Sequence, residues 1–286
     1  MVRINLALGG GGARGLAHIA MLEAFDEIGL KPHRLAGTSF GAVIAALYAS
    51  GIPASEIRAE VERLIGPSRR RFKTLFAPRK LARWLKFVDP EFRRGGLLRG
   101  KRFQNFLKRR MPARDFAQLQ IPLKIVAADF WSWEPVVFDR GDLAAAIKAS
   151  MSVPGVFAPV RVDGRLLIDG GAVDPLPFEL WRDDCDVTIA IEPVPVRARD
   201  PKRNPRMLDA VFTTLQIMQR SIVAEKIKRR PPDLLFRPRI ADVRLMEFHK
   251  AAQIFADAEP EKQRLKNELR RLIESAKPRH RDRAAE

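Results

Sequence analysis

A single cysteine, Cys185, leaves this chain no internal disulfide to form, and its four histidines fall in no Cys/His spacing of a zinc site. Neither a disulfide scaffold nor a structural metal is therefore expected. Long hydrophobic runs are missing as well: stretches such as Ala42 to Ala49 stop far short of the roughly 20 apolar residues that a membrane-spanning helix needs. The opening stretch, Met1 to Leu8, lacks the apolar core and small-residue cleavage site of a signal peptide, which predicts a cytoplasmic protein. Acidic residues are scarce in one region above all. Between Arg69 and Arg110 only Asp89 and Glu91 stand against 16 Lys and Arg, so +14 of the formal net charge of +18 is concentrated there. Such a cluster suits a polyanion, either nucleic acid or an anionic membrane face. A general preference for Arg would explain abundance but not clustering.

What remains is ample for one globular core. With 286 residues and a hydrophobic fraction of 46%, we expect one α/β domain over residues 1–276, followed by a charged tail at 277–286. Ile4 to Leu8 reads as a strand, Gly9 to Gly12 as a tight loop, and Leu16 to Ile28 as a helix closed by Gly29. Arg34 to Ala36 repeats the theme, leading through Gly37-Thr38-Ser39-Phe40-Gly41 into a helix of small residues. Residues 67–112 break the rhythm and read as an inserted basic helical segment. Within it Leu81, Trp84, Leu85 and Val88 fall at helical spacing opposite Arg79, Lys80, Arg83 and Lys86. Further strands are expected at Ile121–Ala128, Pro135–Phe138, Val187–Ile191 and Leu234–Phe236, and a hairpin around Asp163-Gly164 whose second arm ends at Asp169. Helices are expected at Asp142–Ser150, Met207–Lys228, Glu247–Ala258 and Glu261–Ala276. Alternating strands and helices imply a mostly parallel sheet covered on both faces.

Two glycine-rich turns carry the chemistry. Gly37-Thr38-Ser39-Phe40-Gly41 fits G-x-S-x-G in the strand-turn-helix context that presents a nucleophilic serine above a sheet. Gly10-Gly11-Gly12-Ala13-Arg14-Gly15 satisfies the dinucleotide pattern G-x-G-x-x-G, but a ribose-binding acid is required about 20 residues on, and Leu30 to Gly37 contains none. The loop is better used as an oxyanion hole, its backbone N–H groups and the helix start aimed at a developing negative charge, with Arg14 reinforcing the positive end. A serine also needs a base. His249 and His280 lie in a helix and a charged tail, and His18, one turn into the helix after the glycine loop, suits packing or hydrogen bonding. That leaves a carboxylate acting directly on the serine. Asp169, at a strand end before Gly170 and Gly171, is the leading candidate, although Asp-Gly-Gly also suits a simple Asx turn.

Four blocks in order resemble the bacterial patatin-like phospholipases: Gly9 to Gly15, Gly37 to Gly41, Ala149-Ser150-Met151-Ser152-Val153-Pro154-Gly155-Val156-Phe157-Ala158-Pro159, and Asp169-Gly170-Gly171. They span residues 1 to about 180. The resemblance implies a three-layer α/β/α fold, a Ser-Asp dyad of Ser39 and Asp169 rather than a triad, and cleavage of acyl esters in phospholipids or related lipids. Under it, Gly10, Gly11, Gly12, Arg14 and Gly15 form the oxyanion loop and Gly37 and Gly41 shape the elbow. In the third block, Ser150 and Ser152 read as packing or capping groups, and the prolines with Phe157 as elements shaping the acyl site.

The expected activity is a serine lipid-acyl hydrolase of phospholipase A or lysophospholipase type that needs no metal or organic cofactor. An acyltransferase built on the same acyl-enzyme is the alternative. A basic membrane- or nucleic-acid-binding protein with an idle site must explain why every catalytic block is intact. The expected partner is a lipid ester, with peripheral contact to an anionic membrane, at its inner face, through residues 69–110; nucleic acid is not expected.

Overall fold

The computed structural model describes residues 2–65, 101–196, 204 and 207–276. The expected basic amphipathic helix at Leu81 to Val88, most of the 67–112 insertion and the tail at 277–286 lie outside them. Only the end of the insertion is described, as a helix α4 (Lys101–Arg110).

The chain begins with β1 (Ile4–Leu8), a 3-10 turn over Gly12–Leu16 and α1 (Ala17–Ile28), which Gly29 ends in the left-handed conformation. Next come β2 (Arg34–Thr38), α2 (Phe40–Ala49) and α3 (Ala54–Ile65), the last a helix that no sequence expectation covered. After α4 follow β3 (Leu123–Asp129), β4 (Pro135–Phe138), α5 (Leu143–Ser150), β5 (Val160–Val162) and β6 (Arg165–Asp169). The rest comprises β7 (Val187–Ile191), β8 (Val194–Val196), α6 (Met207–Arg229), β9 (Leu234–Phe236), β10 (Arg239–Ala241) and α7 (Ala251–Ala276). The two helices expected at 247–258 and 261–276 are thus one. Pro260 does not interrupt α7, because its apolar face, Ile254, Ala258, Leu265 and Leu269, is buried along the whole length and holds the helix together.

Among the described residues the main sheet has the order β5-β6-β3-β2-β1-β7-β9, with β4 paired to β3. β9, β7, β1, β2 and β3 run parallel, whereas β4 and β6 run antiparallel to β3. The protein is a mixed α/β fold with a mostly parallel central sheet, as expected, and β8 and β10 form a separate parallel pair.

The three layers follow from side-chain alternation along the strands. Ile4, Leu6 and Leu8 of β1, Leu35 of β2, and Ile189 and Ile191 of β7 turn their bulk to one face, where they join buried residues of α1, α2 and α7. The intervening Ala7, Ala36 and Ala190 face the other way, against Leu176, Phe178 and Val223 of α6. Alanine on that face lets Phe178 and α6 lie close to the sheet.

Candidate active site

The elbow at the end of β2 is sterically tight. A Cβ on Gly37 would sit 2.7 Å from the Ala42 Cα, and one on Gly41 would be driven into the carbonyl oxygens of Leu8 and Gly9. Glycine at both positions lets α2 start directly against β1 and β2. Ser39 between them has φ 55° and ψ −127°, a conformation costly for a side-chain-bearing residue, of the order of 1–3 kcal/mol. The neighbouring structure holds it there: the Ser39 N–H donates to the Ser150 Oγ at 2.8 Å, and the Thr38 hydroxyl donates to the Asp174 carbonyl at 2.8 Å.

Strand register decides what faces that serine. Leu35 N–H donates to the Pro122 carbonyl and Phe130 N–H to the Leu166 carbonyl, while Asp129 N–H donates to the Glu134 carbonyl. Even-numbered residues of β3 therefore bond toward both β2 and β6, and odd-numbered ones toward β4. β2 and β6 consequently share one edge of β3 and meet end to end, Thr38 opposite Val126 and Asp169 opposite Ala127. The carboxyl ends of two strands thus converge. The Ser39 hydroxyl donates to the Asp169 Oδ2 at 2.6 Å, and the Gly171 N–H donates to Oδ1 at 2.7 Å.

Both side chains are buried, Ser39 at 7% and Asp169 at 6% exposure. Burial pushes the Asp169 carboxyl from 3.8 up to about 6, against the opposing hydrogen bonds from Ser39 and Gly171. Among the described residues no Lys or Arg pairs with it. The result is a buried carboxylate with a raised pKa that accepts a hydrogen bond from the serine hydroxyl.

The glycine loop lies against the elbow: a Cβ on Gly10 would be 3.5 Å from the Ser39 Cβ, and one on Gly15 would press on the Phe40 ring at 2.9 Å. Two residues expected to serve the oxyanion depart from that reading. The Gly10 N–H is taken by the Pro175 carbonyl at 2.9 Å, because the turn after Gly171 folds back along the loop. Arg14 is buried, and its Nη1 donates to the Val243 carbonyl at 3.0 Å, so it ties the loop to the segment before α7. Gly11 and Gly12 follow with positive φ, and the Ala13 N–H is bonded to the Leu245 carbonyl.

His18 belongs to this scaffold and not to a triad. Its Nε2 lies 2.8 Å from the Gly9 carbonyl, and complete burial lowers its pKa to about 4. The ring is neutral at physiological pH, so Nε2–H donates and fixes the root of the glycine loop. His249 is exposed in a 3-10 turn at Phe248–Lys250, and His280 lies outside the described residues. The role of Ser150 was not legible beforehand beyond a capping residue; only the tertiary approach of α5 to the elbow gives its hydroxyl a partner. Among the described residues no group of His, Cys, Asp and Glu is arranged to hold a metal ion, and no helix is long and apolar enough to cross a membrane.

A mostly parallel α/β sheet with a strained serine elbow, a carboxylate in hydrogen-bond contact and a glycine loop alongside defines the class of α/β proteins built for nucleophilic serine chemistry. The patatin-like phospholipase family model matches residues 6–181, and the chain belongs to that family. An uncharacterized NTE family protein of Mycobacterium tuberculosis is 36% identical over 208 residues, 70% of this chain and 52% of the relative. The chain thus spans about half the length of such mycobacterial relatives. A lysophospholipase, NTE1, of Candida glabrata is 26% identical over 275 residues, 88% of this chain but 15% of the relative. In three dimensions the chain resembles VipD of Legionella pneumophila, with a TM-score of 0.51 and 13% identity, over 93% of this chain and 67% of the other; this likeness bears on the fold alone.

Proposed function

We propose that the chain is a serine lipid-acyl hydrolase, of phospholipase A or lysophospholipase type, that cleaves carboxylic esters through an acyl-enzyme on Ser39. The observation that carries this reading is the direct hydrogen bond from the Ser39 hydroxyl to the buried Asp169 carboxylate. Asp169 takes the Ser39 proton as Oγ attacks the ester carbonyl, and the N–H groups of Gly11 and Gly12, at the start of the 3-10 turn, face the oxyanion. Collapse of the tetrahedral intermediate expels the lipid alkoxide, which receives the proton from Asp169. Water, deprotonated by Asp169, then attacks the acyl carbonyl, and the fatty acid leaves as Ser39 recovers its proton. Every proton is accounted for by one carboxylate, and the scheme calls on no cofactor. Residues 1–276 act as one catalytic domain in this reading, and the protein works peripherally at the inner face of a membrane.

The same acyl-enzyme could transfer its chain to an alcohol in place of water. Product analysis with and without an alcohol acceptor separates the two readings. The decisive experiment is fatty-acid release from mixed phospholipid vesicles by wild type, Ser39→Ala and Asp169→Asn, with intact-mass detection of an acyl adduct. Both variants are expected to lose about 10⁴-fold in kcat while remaining folded. Turnover that survives Ser39→Ala would sink the mechanism.

A further inference from the structure

Large apolar side chains are exposed at the end of the sheet that carries Ser39. The β3–β4 turn is the most prominent, with Phe130 at 40%, Trp131 at 72% and Trp133 at 82% exposure. β3 runs parallel to β2 and continues past the position opposite Thr38, so this turn projects from the same end of the sheet as Ser39. Trp131 is four residues beyond Ala127, the partner of Asp169, a reach of roughly 13 Å. On a second side, α6 lays the Gln219 amide over Gly171. On a third, Leu245 lies against Gly12, and the next residue, Met246, is 46% exposed.

The turn satisfies its own backbone. Asp129 Oδ1 accepts the N–H groups of Trp131 at 2.9 Å and Ser132 at 3.3 Å, Trp133 N–H donates to the Asp129 carbonyl, and Phe130 N–H donates to the Leu166 carbonyl. Phe130 and Trp131 pack edge to face with centroids 4.9 Å apart. Main-chain polar groups are thus turned inward while the indoles point out, which is what an element entering a lipid interface requires.

We propose that this face docks on an anionic lipid bilayer, with Trp131 and Trp133 seated at the boundary of headgroups and acyl chains. The inference rests on the lipid-hydrolase reading and extends it to the physical form in which substrate arrives. Side-chain chemistry selects this occupant: an indole joins an apolar body to a polar N–H and suits the boundary of headgroups and acyl chains. The formal net charge of +18, most of it between residues 69 and 110, draws the molecule as a whole to anionic lipid and sets it against a second copy of itself. The turn projects from the end of the sheet that carries Ser39, itself only 7% exposed, so a bilayer that takes up the indoles lies on the side from which substrate reaches the site.

The test uses the full chain carrying Ser39→Ala, so that binding is read without hydrolysis, on vesicles of phosphatidylcholine with and without phosphatidylglycerol. Binding is expected to need the anionic lipid, to shift indole emission to the blue, and to weaken roughly tenfold when Trp131→Ser and Trp133→Ser are added. In the Ser39 background the same two substitutions should leave hydrolysis of a monomeric short-chain ester unchanged, which shows that the fold and the site are intact. Unaltered vesicle binding by the double tryptophan variant would overturn the proposal, as would equal binding to uncharged vesicles or loss of a dimer in sedimentation velocity. If wild type hydrolyses neither ester nor vesicle lipid yet tryptophan-dependent binding persists, the hydrolase reading fails and the docking surface stands.

Discussion

Two buried carboxylates in this molecule have opposite fates. Glu23, on α1, is 9% exposed and sits between cations: Arg58 of α3 grips it through Nε and Nη2, and Lys262 of α7 donates to it at 3.0 Å. Glu27, one turn on, takes Lys262 and Lys266 at 2.6 Å, and their hydrogen bonds hold its pKa below the usual range. Asp169 is buried just as deeply but has only a hydroxyl and an amide N–H for company, and burial raises its pKa to about 6. The first arrangement clasps three helices. The second leaves a carboxylate whose charge is poorly compensated and therefore available for proton transfer. Both groups are buried, and what differs is their partners: cations at Glu23, a hydroxyl and an amide N–H at Asp169.

The comparison can be broken most sharply through pH. For Asp169 the folded pKa lies above the unfolded value, so the folded state holds the extra proton between about pH 4 and 6 and stability falls as pH rises through that window. A rise from 3.8 to about 6 corresponds to about 3 kcal/mol. Denaturant unfolding across that range should show wild type losing this stability toward neutral pH and Asp169→Asn lacking that component, so the inactive variant gains on wild type as pH rises. Over the same range kcat/KM should climb about tenfold per pH unit and level off above about 6, because only the ionised carboxylate accepts the Ser39 proton. A flat activity profile from pH 4 to 8 would contradict the assignment.

A smaller effect is expected at the clasp. Glu23→Gln leaves Arg58 and Lys262 facing a neutral group, and equilibrium unfolding should register a loss of about 2 kcal/mol, toward the low end for a broken buried pair because Arg58 is partly exposed. Its kcat should match wild type, which separates the structural carboxylate from the proposed base. Smallest is Ser150→Ala. It removes the acceptor of the Ser39 N–H and should lower kcat about fivefold, or about 1 kcal/mol, with KM and the pH profile unchanged. Restoring a hydroxyl with Ser150→Thr should recover part of the rate; a shift in KM alone would show that Ser150 does not position the nucleophile.

Much of this was written locally in the chain. The short apolar runs that make Ile4 to Leu8, Val187 to Ile191 and Leu234 to Phe236 strands need only immediate neighbours, and the helical spacing of Leu16 to Ile28 only three or four residues. G-x-S-x-G announced its turn in part because Gly37 is demanded by Ala42, a few residues on, whereas Gly41 is demanded by the Leu8 and Gly9 carbonyls on another strand. Pro260 misled by the same local logic, since an isolated helix would break there and a packed one does not. The Gly10 N–H looked available for an oxyanion because its acceptor, the Pro175 carbonyl, is 165 residues away in the chain.

The sequence by itself therefore determined the element types, the serine on its elbow and the candidate carboxylate, because each rests on short-range sterics and periodicity. Only the tertiary structure decided that β2 and β6 end head to head on one edge of β3, that Ser150 holds the Ser39 N–H, and that Arg14 and Gly10 are committed elsewhere. Those outcomes depend on strand register and on hydrogen bonds between residues more than a hundred positions apart, which no local pattern encodes.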